Sequence, residues 1–129
     1  MTDIQKLNHV HASIEAYAER YQRATGEVKL IAVSKTRSAE AVLSLHQAGQ
    51  QCFGENYLQE ALAKIVTLAE YPIEWHFIGA IQSRKAQQIA QNFSWVHSLD
   101  RLKVANKLNR YAMPGAPLNV LVQVNLEDE

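Results

Sequence analysis

The chain has 129 residues, of which 47% are hydrophobic, so it suits one domain with a buried core and is too short for two ordinary domains. Thirteen basic residues balance thirteen acidic ones, which argues against an overall field that attracts nucleic acid or an anionic membrane surface. The only cysteine, Cys52, excludes an internal disulfide and is expected to be a buried, unreactive thiol. Because the sequence shows neither a signal peptide nor a transmembrane run, we expect a single cytoplasmic domain over residues 1–129.

The chain begins with one helical pattern and continues with strands that alternate with helices. Apolar residues recur every three or four positions from Ile4 to Tyr21, and Gly26 lies beyond the end of that helix. Apolar runs predict five strands, at 28–33, 51–53, 74–78, 95–98 and 119–124. The predicted helices between them are 38–48, 57–68, 83–91 and 101–111, with Ser38 and Asp100 as N-caps.

Each connection between successive strands contains a helix, as connections between parallel strands require. This α/β pattern fits either a doubly wound sheet or part of a (β/α)₈ barrel. No G-x-G-x-x-G turn follows the first strand, and no G-x-x-x-x-G-K-[ST] loop occurs, which argues against a nucleotide-binding sheet. Polar residues follow several different strands, and a barrel enzyme lines its mouth in that way.

Lys35 comes directly after the first predicted strand, in the segment 34–36. The carboxyl ends of parallel strands are where α/β proteins build their sites. A lysine whose stem packs on an apolar strand loses hydration of its ammonium, which favours the amine as a nucleophile for the carbonyl of a cofactor such as pyridoxal 5′-phosphate (PLP). From position alone, a solvated lysine at a strand end is the more common situation.

Five segments combine into a stronger signal: 32–36, 53–57, 75–79, 97–100 and 122–125. In this order and spacing they resemble the pyridoxal phosphate homeostasis protein family, which in turn resembles the barrel domain of alanine racemase. The resemblance implies a leading helix and five parallel β/α units, an incomplete (β/α)₈ barrel of the alanine racemase N-terminal type. It also implies that Lys35 carries PLP as a Schiff base, that Asn56 lies beside the cofactor, and that His76 and Asn125 help to line the mouth.

Judged from residue type alone, several of these positions have simpler explanations. Asn56 follows a Gly-Glu pair and is typical of a turn residue in the left-handed region. His76 lies within an apolar strand and has the pattern of a hydrogen-bonded core histidine. Glu55 is either a general base or a residue that stabilises the following helix. His76 and His97 lie on separate strands with no third ligand at a convincing spacing, so we expect no metal site.

The function expected from the resemblance is PLP binding in PLP homeostasis, without robust catalysis. Racemisation needs an acid or base on each face of the cofactor adduct, and alanine racemase takes one of these from an additional domain. Two alternatives are a PLP-dependent, racemase-like enzyme and a barrel fragment unable to bind PLP. Members of the family continue past the position of Glu129 through three further strands, so we expect open edges at the first and fifth strands. We therefore expect a fragment, or self-association through those edges.

Overall fold

A computed structural model describes residues 1–127 and places five strands in one parallel sheet. The strands are β1 (Ala32–Val33), β2 (Cys52–Glu55), β3 (Glu74–Phe77), β4 (Trp95–Leu99) and β5 (Asn119–Val122). The helices are α1 (Asp3–Arg20), α2 (Ala39–Gln47), α3 (Leu58–Thr67), α4 (Ala86–Asn92) and α5 (Leu102–Tyr111), and a 3₁₀ turn, Ser83–Lys85, precedes α4. None of these helices is long and apolar enough to cross a membrane.

The strands lie side by side in chain order, and every neighbouring pair is parallel. A doubly wound sheet reverses its strand order at a switch point, whereas a (β/α)₈ barrel keeps the chain order. The structure therefore confirms the parallel α/β architecture and the barrel-type order. Within residues 1–127, β1 and β5 each pair with one neighbour, which makes them the two edges of the sheet.

Of the two predicted N-caps, one is confirmed and one is wrong. The Ser38 hydroxyl accepts a hydrogen bond from the Ala41 N–H at 3.1 Å, so the predicted cap of α2 is confirmed. The predicted cap of α5 is wrong. Arg101 is the N-cap there and makes no side-chain cap bond, while the Asp100 carboxylate accepts from the Arg101 guanidinium at 3.2 Å.

β1 is shorter than the predicted strand 28–33. The Gln50 amide donates to the carbonyls of Leu30 and Cys52, at 2.8 Å each, and so links the segment before β1 to β2. Lys29 is held through its ammonium by Glu74 on β3. The amino end of this edge strand is thus fixed by side chains, which hydropathy cannot indicate.

The hydrophobic core lies between the sheet and its helices. Its largest strand residues are Phe53, Trp75, Phe77 and Val96, which pack against α2 to α5. Side chains alternate between the two faces of a strand, so their neighbours in sequence lie on the opposite, inner face. Val33 is on that face and is 53% exposed.

Candidate cofactor site at the carboxyl ends of the strands

Lys35 lies in a tight turn at the carboxyl end of β1, and its side chain is exposed. The Arg37 N–H donates to the Ser34 carbonyl at 3.1 Å, which closes a four-residue β-turn. Thr36, the third residue of this turn, has φ = 65°. A positive φ at that position is the type II arrangement, which glycine or asparagine normally occupies. A β-branched residue in this region is strained, and such strain is concentrated at functional sites.

Asn56 follows β2, the strand beside β1, at the same edge of the sheet as Lys35. Val33 pairs with Gly54, and Lys35 and Asn56 each lie two residues further on, so the two residues follow paired positions at the carboxyl ends of neighbouring strands, which we call the row. The Asn56 Oδ1 is buried and accepts no hydrogen bond within residues 1–127. A buried acceptor without a donor is costly, so this atom fits a ligand that supplies a donor. The exposed amine and the unused acceptor together suit PLP.

The backbone of Asn56 is not left-handed, so the simpler turn explanation for this residue is wrong. Within the described residues, Gln22 and Thr36 are the non-glycine residues with positive φ. Asn56 is instead fixed by the loop after β3. A Cβ built on Gly79 would lie 2.5 Å from the Asn56 carbonyl oxygen, so only glycine allows this approach.

His76 lies in β3, paired with Gly54, and therefore one layer below the row of Lys35 and Asn56. It is buried, and both ring nitrogens are engaged: Nε2 with Glu74 Oε1 at 2.8 Å, and Nδ1 with His97 Nε2 at 2.9 Å. The ring also stacks on Trp95 with an interplanar angle of 6°. Burial lowers the pKa of His76, and it lowers that of His97 as well. This environment is that of a hydrogen-bonded interior histidine.

A chain of polar groups continues from His76 along the inner face, and we call it the inner chain. Its members are Lys29, Cys52, Glu74, His76 and His97. Sequence analysis found no third ligand near the histidines, but the structure brings donor atoms of Cys52, Glu74 and His76 within 4.8 Å of one another. The Lys29 ammonium lies 2.6 Å from the Glu74 carboxylate, where its positive charge would repel a metal ion bound to the same carboxylate. Burial also raises the pKa of the buried Cys52 thiol, which keeps it protonated.

Asn125 follows β5 by three residues and is exposed. Its Oδ1 accepts from the Gln123 amide at 3.4 Å. β5 and β1 are opposite edges of the sheet, with three strands between them. The structure thus places Lys35 and Asn56 after paired positions of neighbouring strands, His76 on β3 opposite Gly54, and Asn125 beyond β5 at the far edge.

Sequence analysis missed a second polar group behind the Lys35 turn, which we call the buried cluster: Ser34, Glu55, Glu60 and Lys64. Glu55 is fully buried and bonds to the Ser34 hydroxyl and the Lys64 ammonium, so neither explanation offered for it from sequence describes its main contacts. A signal for the cluster does exist. Lys64 shares the apolar face of α3 with Leu58, Ala61 and Leu68, and a lysine there needs a buried partner.

Comparison with known proteins identifies the family of the chain. The profile of the alanine racemase N-terminal domain matches residues 8–129. The chain is 50% identical to the pyridoxal phosphate homeostasis protein of Pseudomonas aeruginosa over 129 residues, and 45% identical to that of Escherichia coli K12 over 134 residues. These matches cover 99% and 100% of this chain but 56% and 57% of the relatives, so the chain spans about half their length.

Solved structures of one homologue show the same fold. PipY of Synechococcus elongatus without PLP has a TM-score of 0.76 and 38% identity, over 89% of this chain and 54% of that protein. PipY with PLP bound has a TM-score of 0.65 and 40% identity, over 75% of this chain and 46% of that protein. The predicted family and the incomplete barrel are both confirmed, and the chain belongs to the alanine racemase N-terminal domain family, where it is similar to the pyridoxal phosphate homeostasis proteins.

Proposed function

We propose that this chain binds PLP in PLP homeostasis and that Lys35 is the residue that holds the cofactor. The observation that carries the proposal is the row at the carboxyl end of the sheet: an exposed lysine in a strained turn follows β1, and Asn56, whose buried Oδ1 is unused within residues 1–127, follows the neighbouring strand β2. PLP supplies an aldehyde that forms a Schiff base with a lysine amine. The similarity to a protein solved with PLP bound supports the same ligand.

The remaining predicted residues have smaller parts in this proposal. Asn56 accepts a hydrogen bond from the cofactor, and its position is fixed by Gly79. His76 lies below the row with both nitrogens engaged, so it shapes the floor of the site without offering a free donor or acceptor. Asn125 lines the mouth at the β5 edge and contacts ligand only where the site extends across the sheet.

Binding without robust turnover is the activity that this arrangement favours. Racemisation requires a base or acid on each face of the reacting carbon. His76 is the histidine predicted to line the mouth, and both of its ring nitrogens are bonded to protein groups, Glu74 and His97, rather than presented to a ligand. A racemase-like enzyme is the second candidate, and steady conversion of L-alanine to D-alanine that Lys35→Arg abolishes would favour it.

The test of the proposed function is to locate the lysine that reacts with PLP. The chain is mixed with PLP, its visible absorbance is recorded, and the product is reduced with borohydride and mapped by peptide mass spectrometry. We expect one dominant adduct, at Lys35, which Lys35→Arg removes and the control Lys29→Arg retains. Adducts scattered over exposed lysines, or none, would contradict the proposal and favour a barrel fragment that does not bind PLP.

Self-association through the sheet edges is part of the same proposal, within a cytoplasmic setting. β5 exposes all four of its residues, including Val120, Leu121 and Val122, and within residues 1–127 it pairs with β4 alone, which leaves the backbone groups of its outer edge open to a further strand. Pairing of β5 with a second copy would satisfy those groups and cover the apolar side chains. Sedimentation velocity should show a dimer at micromolar concentration; a stable monomer at every concentration would exclude the pairing.

A further inference from the structure

Both peptide groups that flank Lys35 are hydrogen-bonded to side chains of one helix, α3. The Lys64 ammonium donates to the Ser34 carbonyl at 2.7 Å, and this carbonyl belongs to the peptide group before Lys35. The Glu60 carboxylate accepts from the Thr36 N–H, which belongs to the peptide group after Lys35. The backbone on either side of Lys35 is therefore fastened to the same turn of helix.

The two side chains that make these bonds are themselves fixed. Lys64 uses its three protons on the Ser34 carbonyl, on Glu60 Oε1 at 2.9 Å, and on the Glu55 carboxylate, whose two oxygens are each 3.1 Å away. Its side chain is 6% exposed, and that of Glu55 is fully buried. Charge-assisted hydrogen bonds are short and strong, and a buried setting strengthens them further. Together these bonds hold the Lys64 ammonium in place. The bond from Lys64 also lowers the pKa of Glu60.

The Glu60 bond selects one form of the turn. Type I and type II turns differ mainly in the direction of the central peptide group, here the one between Lys35 and Thr36. The type II direction gives Thr36 its positive φ, which is unfavourable for a β-branched side chain. The Glu60 carboxylate accepts from the N–H of this same peptide group and so offsets the strain. With both flanking peptide planes fixed, the direction of the Lys35 Cα–Cβ bond is fixed as well.

We infer that Glu60 and Lys64 are positioning residues that direct the Lys35 side chain toward the cofactor, with Glu55 as their buried anchor. This inference rests on the proposed function of Lys35. It accounts for how the turn holds a threonine at a positive φ. A merely structural role would be different. The cluster would then anchor α3 to β1, and the direction of the Lys35 side chain would not affect the reactivity of its amine.

The test combines Glu60→Ala with Thr36→Gly, because glycine adopts a positive φ without strain. In Glu60→Ala we expect trapping of PLP at Lys35 by borohydride to slow about tenfold or more, the factor for one lost hydrogen bond to a charged group. The double variant should recover most of that rate, since the turn no longer depends on the carboxylate. Glu60→Gln, which keeps an acceptor oxygen, should also retain most of it, and Glu70→Ala, an exposed glutamate after α3, is the matched control.

A second measurement needs no cofactor. Hydrogen exchange of the Thr36 amide, followed by NMR, should accelerate about tenfold or more in Glu60→Ala, while amides of α5 keep the rates of the unsubstituted chain. Unchanged exchange at Thr36, unchanged trapping in Glu60→Ala, or failure of Thr36→Gly to restore trapping would overturn the inference. Absence of a Lys35 adduct in the unsubstituted chain would instead refute the proposed function and the direction toward PLP, and Thr36 exchange would still decide whether Glu60 holds the turn.

Discussion

Two lysine–glutamate pairs lie on opposite faces of the same sheet and differ mainly in burial. On the helix side, Lys64 and Glu55 are 3.1 Å apart, with side chains 6% and 0% exposed. On the inner face, Lys29 and Glu74 are 2.6 Å apart, with side chains 50% and 33% exposed. The pair with the shorter distance is the more solvated one, so distance alone does not indicate which pair costs more stability when it is broken. Burial decides, because removing one partner of a buried pair leaves a charge without water.

The two pairs also contact different parts of the backbone. Lys64 bonds to the carbonyl beside Lys35, at the carboxyl end of β1, whereas Lys29 lies before β1 and its ammonium bonds to the Glu74 side chain. The buried cluster therefore supports the candidate site directly, and the inner chain supports the floor beneath it.

The largest expected effect is on Lys64. Substitution Lys64→Met removes the only cation beside the buried Glu55 carboxylate within the described residues, so the unfolding free energy should fall by about 3–5 kcal/mol. Urea denaturation measures the change, with Lys103→Met, at an exposed position of α5, as the control. A loss below about 1 kcal/mol would mean that burial does not separate the two pairs as described.

A smaller effect is expected where the carboxyl-end loops touch. Gly79→Ala places a Cβ against the backbone oxygen of Asn56 and should cost about 1–3 kcal/mol, because backbone must shift. The matched change is Gly54→Ala on the inner face, where the nearest atoms, at 3.2 and 3.3 Å, are the ends of the Ile78 and Ile31 side chains. Thermal unfolding of both variants makes the comparison, and an equal cost at the two glycines would contradict the tight contact.

Acid should destabilise the inner chain before the buried cluster. Burial lowers the pKa of His76 from its ordinary value of 6.5, so the unfolded chain takes up that proton first and stability falls as pH drops below about 6.5. The pKa of Glu60 is lowered from 4.5, chiefly by Lys64, so its contribution is lost only below about pH 4.5.

Unfolding free energies measured from pH 7.5 down to pH 3 should therefore decline in two stages. His97→Gln should weaken the first stage, since burial lowers the pKa of this histidine too, and His9→Gln, on the exposed surface of α1, is the control. An unfolding free energy that stays constant between pH 7 and pH 5.5 would contradict the lowered pKa of His76 and His97 in the folded chain.

The smallest effect is expected for the exposed pair. Lys29→Met should change the unfolding free energy by at most about 1 kcal/mol, because solvent and salt screen this contact. Raising the salt concentration should reduce the difference further. A loss as large as that of Lys64→Met would show that the inner chain behaves as a buried network.

The sequence predicts the helices, the strands and their order more completely than it predicts the contacts around Lys35. The strand-to-helix alternation and the Ser38 cap depend on local patterns, and the structure contains both. β1 is shorter than predicted, and the carbonyl of Leu30 before it accepts instead from Gln50, 20 residues further along the chain. Likewise, the bond between Glu60 and Thr36 joins residues 24 apart, and no local pattern encodes it. Lys64 alone left a local trace, as a charged residue on an apolar helix face.

The most direct test of Lys35 as the residue that holds PLP is a crystal structure of this chain grown with PLP. We predict continuous electron density between the cofactor and the Lys35 Nζ, with the Asn56 Oδ1 within hydrogen-bond distance of the ligand and the Thr36 turn unchanged. Density joined to Lys29 or another lysine, or a well-ordered Lys35 without cofactor at saturating PLP, would contradict it.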